Sequence, residues 1–317
     1  MRRVLVTGAD GFVGQALTKC LRTSGFSVTG TVRRRAANQT IAIGDVADSE
    51  QWPSLLADVD VVVHLAARAH ILRESSTDPL REFRRVNVAA TLKIARAAAV
   101  AGVRRFVFLS SIGVNGVSTT NRAFVESDEP NPTEPYAISK WEAERGLIEI
   151  GASTGMEIVR VRPPLILGPG VKGNLRRLVQ VVDWGLPLPF GAILNRRSFI
   201  ALDDLCDLLA LCIVNERAAN ELFLAADPEQ ISTTELMRHI AQGLDKRSLL
   251  IPVPLPGLMV VARILRAQQL IERMALSLCV NADRARTILS WTPRTGILGG
   301  ITAMAQAYRL QRHSCKA

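Results

Sequence analysis

The N-terminal run RVLVTGADGFVG, residues 3–14, constrains this chain more than any other stretch. An apolar strand-like segment leads directly into Gly8, Gly11 and Gly14, and a helical pattern then runs to the glycine of TSGF. A buried strand that turns into a helix on a glycine-rich corner is the opening unit of a parallel α/β sheet. The three glycines have separate physical tasks. One permits the tight turn, one lets the backbone approach an anionic ligand, and one lets helix and strand pack closely. The spacing is G-x-x-G-x-x-G rather than the G-x-G-x-x-G of many dinucleotide-binding turns.

The alternation continues through the first half of the chain. SVTGTV (27–32), DVVVHLAA (60–67), RRFVFLSS (104–111) and MEIVRVR (156–162) read as further buried strands. A helix is expected through VNVAATLKIARAAAVAG, and another after the proline-rich SDEPNPTEP, whose last proline suits a first helical turn. After Pro163 the character changes to Gly/Pro loops between short helices, with RRSFIALDDL (196–205) reading as a strand that enters a helix. The pattern predicts a Rossmann-type, doubly wound parallel sheet over residues 1–163. A smaller, partly interleaved C-terminal substrate-binding lobe is expected over 164–317.

Composition narrows the partners. The 317 residues are 48% hydrophobic and 21% charged, which suits a globular chain with a sizeable core. The net charge is +10, carried mostly by arginine. Such a balance favours phosphate-bearing ligands, and no aromatic-interleaved basic stripe or nucleic-acid motif is present. Cys20, Cys206, Cys212, Cys279 and Cys315 form neither a disulfide framework nor a metal pattern, so no metal is expected and a reducing cytoplasm is the default. MRRVLVTG enters a strand without a signal-peptide-like apolar region, and arginines interrupt LPGLMVVARIL (255–265) before membrane-spanning length. That segment is expected to pack on the body as an amphipathic helix. Peripheral membrane contact through the basic surface and the tail RLQRHSCKA is the alternative.

Two further features carry chemistry. An NAD-selective site usually has an acidic residue near the end of the second strand, whereas this chain has Val32 followed by Arg33 and Arg34. Guanidinium groups there would pair with a 2′-phosphate, so NADP(H) is expected over NAD(H), with a solvated basic turn as the competing role. The second feature is EPYAISK. One of only two tyrosines, Tyr136, stands four residues before Lys140, the spacing that stacks side chains on one helix face. A lysine ammonium beside a phenol is expected to lower its pKa and let it exchange a proton with a hydroxyl or carbonyl. Ser111, at the end of the FVFLSS strand, is the third candidate, with a strand-end cap as its competing role.

Taken together, TGADGFVG, GDVAD, HLAA, NVAAT, LSSIGVNG, YAISK and LSWTPRTGILGGI resemble the extended short-chain dehydrogenase/reductase family, which includes nucleotide-sugar epimerases, dehydratases and 4-keto reductases. The resemblance spans nearly the whole chain. It implies that Gly8, Gly11, Phe12, Val13 and Gly14 bind the pyrophosphate and that Asp45 and Val46 hold the adenine edge. It also implies that Leu65, Ala66 and Ala67 line the cofactor and that Asn87 supports the site. Tyr136 would be the proton donor or acceptor, Lys140 would bind the nicotinamide ribose, and Ser111 would hydrogen-bond the substrate oxygen. Asn174 and Arg197 match positions that hold the diphosphate of a UDP-sugar. A homodimer on helices at 79–101 and 135–152 is likewise expected of the family.

Departures from the family narrow the chemistry. Ile112 and Gly113 stand where dehydratases carry an Asp–Glu pair, so elimination of water is not expected. Asn115 replaces a frequent tyrosine, and Leu165 replaces an asparagine that commonly touches substrate. The expected activity is NADPH-dependent reduction of a UDP-4-keto-6-deoxy-N-acetylhexosamine in bacterial surface-polysaccharide (O-antigen) synthesis. A UDP-glucose or UDP-N-acetylglucosamine 4-epimerase is the alternative. A non-catalytic NADP-binding sensor is a distant third, disfavoured by the retained Ser111, Tyr136 and Lys140.

Overall fold

In β1 (Arg3–Thr7) every residue after Arg3 is buried, because a central parallel strand is covered on both faces. The computed structural model describes residues 2–36, 39–69, 78–264 and 268–314; Cys315 and the end of RLQRHSCKA lie outside them, as does the last residue of the 255–265 segment. The chain continues through α1 (Phe12–Thr23), β2 (Ser27–Val32), β3 (Thr40–Ala42), α2 (Trp52–Leu56), β4 (Val61–His64), α3 (Pro79–Phe83) and α4 (Ala90–Val100). Then come β5 (Arg105–Leu109), α5 (Pro135–Thr154), β6 (Glu157–Arg162), β7 (Leu165–Leu167), α6 (Gly173–Asp183), β8 (Arg197–Ala201) and α7 (Leu202–Val214). The remaining elements are β9 (Leu222–Leu224), β10 (Gln230–Ile231), α8 (Thr233–Gly243), α9 (Leu255–Ile264), α10 (Gln268–Ala275), α11 (Asp283–Leu289) and α12 (Gly296–Ser314).

Seven strands form a parallel sheet in the order β3-β2-β1-β4-β5-β6-β9. This is the Rossmann-type, doubly wound arrangement. The order reverses beside β1, which opens a crevice at the carboxyl ends of the strands. One face of the sheet packs Leu17, Leu21, Leu205 and Leu209 against Val4, Val6 and Val63. The other packs Ile94, Leu147 and Ile150 against Leu5, Val62, Phe106 and Phe108. β9 comes from beyond residue 163, so the C-terminal half completes the main sheet. It also builds a small second sheet, β10-β8-β7, with its own core around Phe199, Met237 and Ile301.

Several boundaries differ from the sequence pattern, β5 for example ending at Leu109 rather than Ser111, and two of them bear on the site. β4 ends at His64 rather than Ala67, because the Leu65 and Ala66 N–H groups donate to Thr7 Oγ1 at 3.1 and 3.2 Å instead of to a neighbouring strand. The helix expected through VNVAAT is preceded by a π-helical turn, Arg84–Ala89, that holds Asn87 buried; such turns recur at functional sites. One tertiary contact in the C-terminal half joins α7 to the start of α12. The buried Asp204 carboxylate of α7 accepts the N–H groups of Arg294, Thr295 and Gly296 at 2.7, 2.9 and 2.9 Å, and so caps α12 from a distance.

Candidate active site

The loop between β1 and α1 admits no side chain at its tightest point. A Cβ on Gly14 would stand 2.1 Å from the Gly8 carbonyl oxygen, and one on Gly8, whose φ is +69°, would stand 2.9 Å from Ala66 N. Gly8 therefore lies against the Leu65–Ala66 backbone, which brings two predicted cofactor segments together. Gly11 precedes α1 in extended conformation, without a side-chain cap and without an acidic residue in the first turn. The N–H groups of Phe12, Val13 and Gly14 have no carbonyl to meet within the helix. This cradle fits a diphosphate.

At the far edge of the sheet, Arg33 follows β2 and reaches Asp45 at 3.5 Å, while Arg34 is exposed. Arg85 also donates to Asp45, at 3.2 Å, and Val46 packs beneath on the second apolar core. Burial works to raise the Asp45 carboxyl. The bonds from Ala47 N–H and Arg85, with the charges of Arg85 and Arg33, outweigh it and hold the group below its ordinary value. The basic edge thus contains a carboxylate that sequence reading did not place beside Arg33.

Tyr136 sits in the first turn of α5, where Pro135 starts the helix, and its ring meets Phe83 edge-on at 6.0 Å. One turn later the buried Lys140 ammonium donates to the Leu109 carbonyl at 2.8 Å and lies 4.4 Å from the Phe108 ring centre. Lys140 thereby pins α5 to the end of β5. The expected lowering of the phenol is not what the fold produces. Burial pushes Tyr136 up to about 12 and Lys140 down to about 7, the latter opposed by the nearby Glu144 carboxylate. Desolvation of each group outweighs their helical neighbourhood. Ser111 caps the short helical turn Ile112–Val114, its Oγ accepting Gly113 N–H at 3.2 Å. The hydroxyl proton has no acceptor among the described residues and is available to a ligand oxygen.

A buried hydrogen-bond relay joins the end of β1 to α5. Thr7 Oγ1 uses its two lone pairs on Leu65 and Ala66 N–H, so its proton goes to His64 Nδ1 at 2.8 Å. Thr91 Oγ1 gives its proton to the Asn87 carbonyl at 2.8 Å, so it accepts from His64 Nε2 at 3.0 Å. Both ends fix the same neutral tautomer, with the proton on Nε2. Burial, with Lys140 as the lesser cause, pushes His64 down to about 3. Asn87 extends the relay: its amide clasps the Arg68 backbone and donates to Ser139 Oγ at 3.0 Å, and Ser139 donates to the Tyr136 carbonyl at 2.7 Å.

The predicted substrate contacts lie in the C-terminal half. Asn174 is exposed on the first turn of α6, and its side chain makes no hydrogen bond to a described residue. Arg197 opens β8 and donates to the Arg273 and Leu276 carbonyls at 2.5 and 3.4 Å, the end of α10. Arg273 in turn pairs at 2.6 Å with Glu134, the residue immediately before α5. Sequence reading missed His64, Thr91, Ser139 and the buried Glu144–Arg162 pair at 2.6 Å. A histidine inside the aliphatic DVVVHLAA was the one available signal. Among the described residues no cluster of three His, Cys, Asp or Glu side chains could hold a metal, and no helix is long and apolar enough to cross a membrane.

The chain is similar to known nucleotide-sugar enzymes. A UDP-glucose 4-epimerase of Vibrio cholerae is 36% identical over 313 residues, covering 97% of this chain and 95% of that protein. An N-acetyl-alpha-D-glucosaminyl-diphospho-ditrans,octacis-undecaprenol 4-epimerase of Escherichia coli O157:H7 is 29% identical over 263 residues, 80% of this chain and 76% of the relative. The solved structure of MoeE5 with UDP-glucose and NAD superposes with a TM-score of 0.79 at 27% identity, covering 99% of both chains. The model of the NAD dependent epimerase/dehydratase family matches residues 4–225, and with the β1–α1 cradle and the Ser111, Tyr136 and Lys140 set in place, the chain belongs to that family.

Proposed function

We propose that this protein is a UDP-hexose 4-epimerase that retains its nicotinamide dinucleotide through turnover. The observation that carries this reading is the likeness, over 97% of the chain, to a UDP-glucose 4-epimerase. Gly8, Gly11, Phe12, Val13 and Gly14 would hold the dinucleotide's diphosphate, and Asp45 and Val46, with Arg33 and Arg34, its adenosine end. Leu65, Ala66, Ala67, Asn87 and Lys140 would border the nicotinamide half. The bound dinucleotide supplies a hydride acceptor and donor at the sugar C4. Tyr136 takes the proton of the C4 hydroxyl and later returns it, while Ser111 donates a hydrogen bond to the same oxygen. A phenol at about 12 favours the return step. The Lys140 ammonium, charged below about pH 7, favours the removal step by stabilising negative charge nearby. Residues 164–317 would form the nucleotide-sugar lobe, with Asn174 and Arg197 on the substrate diphosphate. A homodimer through 79–101 and 135–152 accompanies this reading.

Arg33 and Arg34 favour a second reading, an NADPH-dependent 4-keto reductase of a UDP-4-keto-6-deoxy-N-acetylhexosamine in O-antigen synthesis. No acidic residue closes β2, and the two exposed guanidinium groups that follow it, Arg33 and Arg34, would suit a 2′-phosphate. One pair of assays separates the two. The purified protein is given UDP-glucose or UDP-N-acetylglucosamine without added cofactor, and the C4 epimers are followed by NMR. It is then given NADPH and the 4-keto sugar, and the near-ultraviolet absorbance of the reduced nicotinamide is followed. Interconversion without added cofactor is expected. Its absence, together with stoichiometric loss of NADPH, would replace the epimerase with the reductase.

A further inference from the structure

Helix α9 has an apolar face that the protein does not cover. One turn apart, Leu258 and Ala262 are buried against Ile193 and Ile271. The opposite side exposes Val260 at 62% and Ile264 at 76%, where a surface helix ordinarily carries polar groups. The same sublobe exposes Leu194 at 87%, Trp184 at 67% and Leu186 at 59%. These residues belong to one unit: Leu188 and Gly191 pair with Leu249 and Ile251 through backbone bonds of 2.8 to 2.9 Å, and Phe190 and Val253 pack on the Leu258 cluster. Five exposed large apolar side chains concentrated in one unit of the fold mark an interaction surface.

Charge identifies the occupant. Residues 184–196 and 246–264 contain no Asp or Glu, and of their four cations Lys246 is paired with Asp183 at 2.6 Å, which leaves Arg196, Arg247 and Arg263. Arg196, Arg247 and Arg263 are exposed. A second copy of this chain would bring like charges together, whereas an anionic lipid surface complements them. Ten residues are too few to cross a bilayer, but an apolar helix flanked by cations and an exposed tryptophan suits the headgroup boundary. We propose that the α9 sublobe docks this protein on an anionic membrane surface. Leu194 stands three residues before Arg197, and α10 is tied through Arg273 to Glu134 beside Tyr136. The docked face therefore belongs to the sublobe that borders the catalytic helix. Docking is independent of which sugar is turned over.

The test is co-sedimentation of the full-length protein with vesicles of phosphatidylglycerol and phosphatidylcholine, against vesicles of phosphatidylcholine alone. Anionic vesicles are expected to raise the bound fraction at least about tenfold at low salt, and added salt to reverse it. The Val260→Glu/Ile264→Glu pair and the Arg247→Glu/Arg263→Glu pair should each lower binding about tenfold, with unchanged thermal midpoints. Both pairs lie on the outer surface, so folding is not at stake. Wild-type protein that stays in the supernatant with anionic vesicles at low salt would overturn the proposal. So would undiminished binding by both variants. A concentration-dependent dimer lost in the Val260→Glu/Ile264→Glu variant would assign the face to a subunit contact instead.

Discussion

His64→Leu tests the relay beneath the candidate active site at two levels. The imidazole is fully buried, accepts from Thr7 and donates to Thr91, so leucine fills most of the volume but strands a hydroxyl proton and a lone pair. Two lost neutral hydrogen bonds with their partners left buried cost about 2–4 kcal/mol at pH 7. Acid changes the balance. His64 titrates near 6.5 when unfolded and about 3 when folded, so the unfolded chain binds the extra proton between those values. Stability in the wild type is therefore complete above about 6.5 and falls as pH drops toward 3, by about 2 kcal/mol from this group between pH 6.5 and pH 5. The leucine variant lacks that proton and loses none of it. Denaturant unfolding followed by circular dichroism at pH 7 and pH 5 should show the gap between wild type and variant narrowing by about 2 kcal/mol. A gap of the same size at both pH values would refute the neutral, Nε2-protonated histidine.

Three further substitutions probe separate parts of the molecule. Tyr136→Phe should abolish turnover while titration of the dinucleotide by fluorescence shows unchanged affinity; loss of both together would remove Tyr136 from the reaction. Arg33→Asp with Arg34→Ala should shift the NADPH-to-NADH affinity ratio about tenfold toward NADH, the scale of one charge-assisted phosphate contact. An unchanged ratio would count against Arg33 and Arg34 as the 2′-phosphate site. Asp204→Ala leaves three backbone donors at the start of α12 without their acceptor and should destabilise the protein by about 3–5 kcal/mol, read by calorimetry. A loss below about 1 kcal/mol would show that water replaces the carboxylate there.

The parts of this protein written in local sequence were the strand–glycine–helix corner, the alternation of buried strands with helices, and the four-residue spacing of Tyr136 and Lys140. Each depends on residues close in the chain, where steric limits at glycine and helical periodicity leave few alternatives. Tertiary structure decided what depends on distant residues. It joined β9 to β6 to complete the sheet, capped α12 with Asp204, and set Asp45 beside Arg33. It also decided protonation. The spacing of Tyr136 and Lys140 suggested an acidified phenol, but the surrounding apolar packing withdraws water from both groups and moves them the other way. The state of His64 follows from hydroxyls at residues 7 and 91, which meet the imidazole only once β1, β4 and α4 have packed together. Desolvation and hydrogen-bond direction arise only when the chain has folded, so no reading of neighbours along the sequence could supply them.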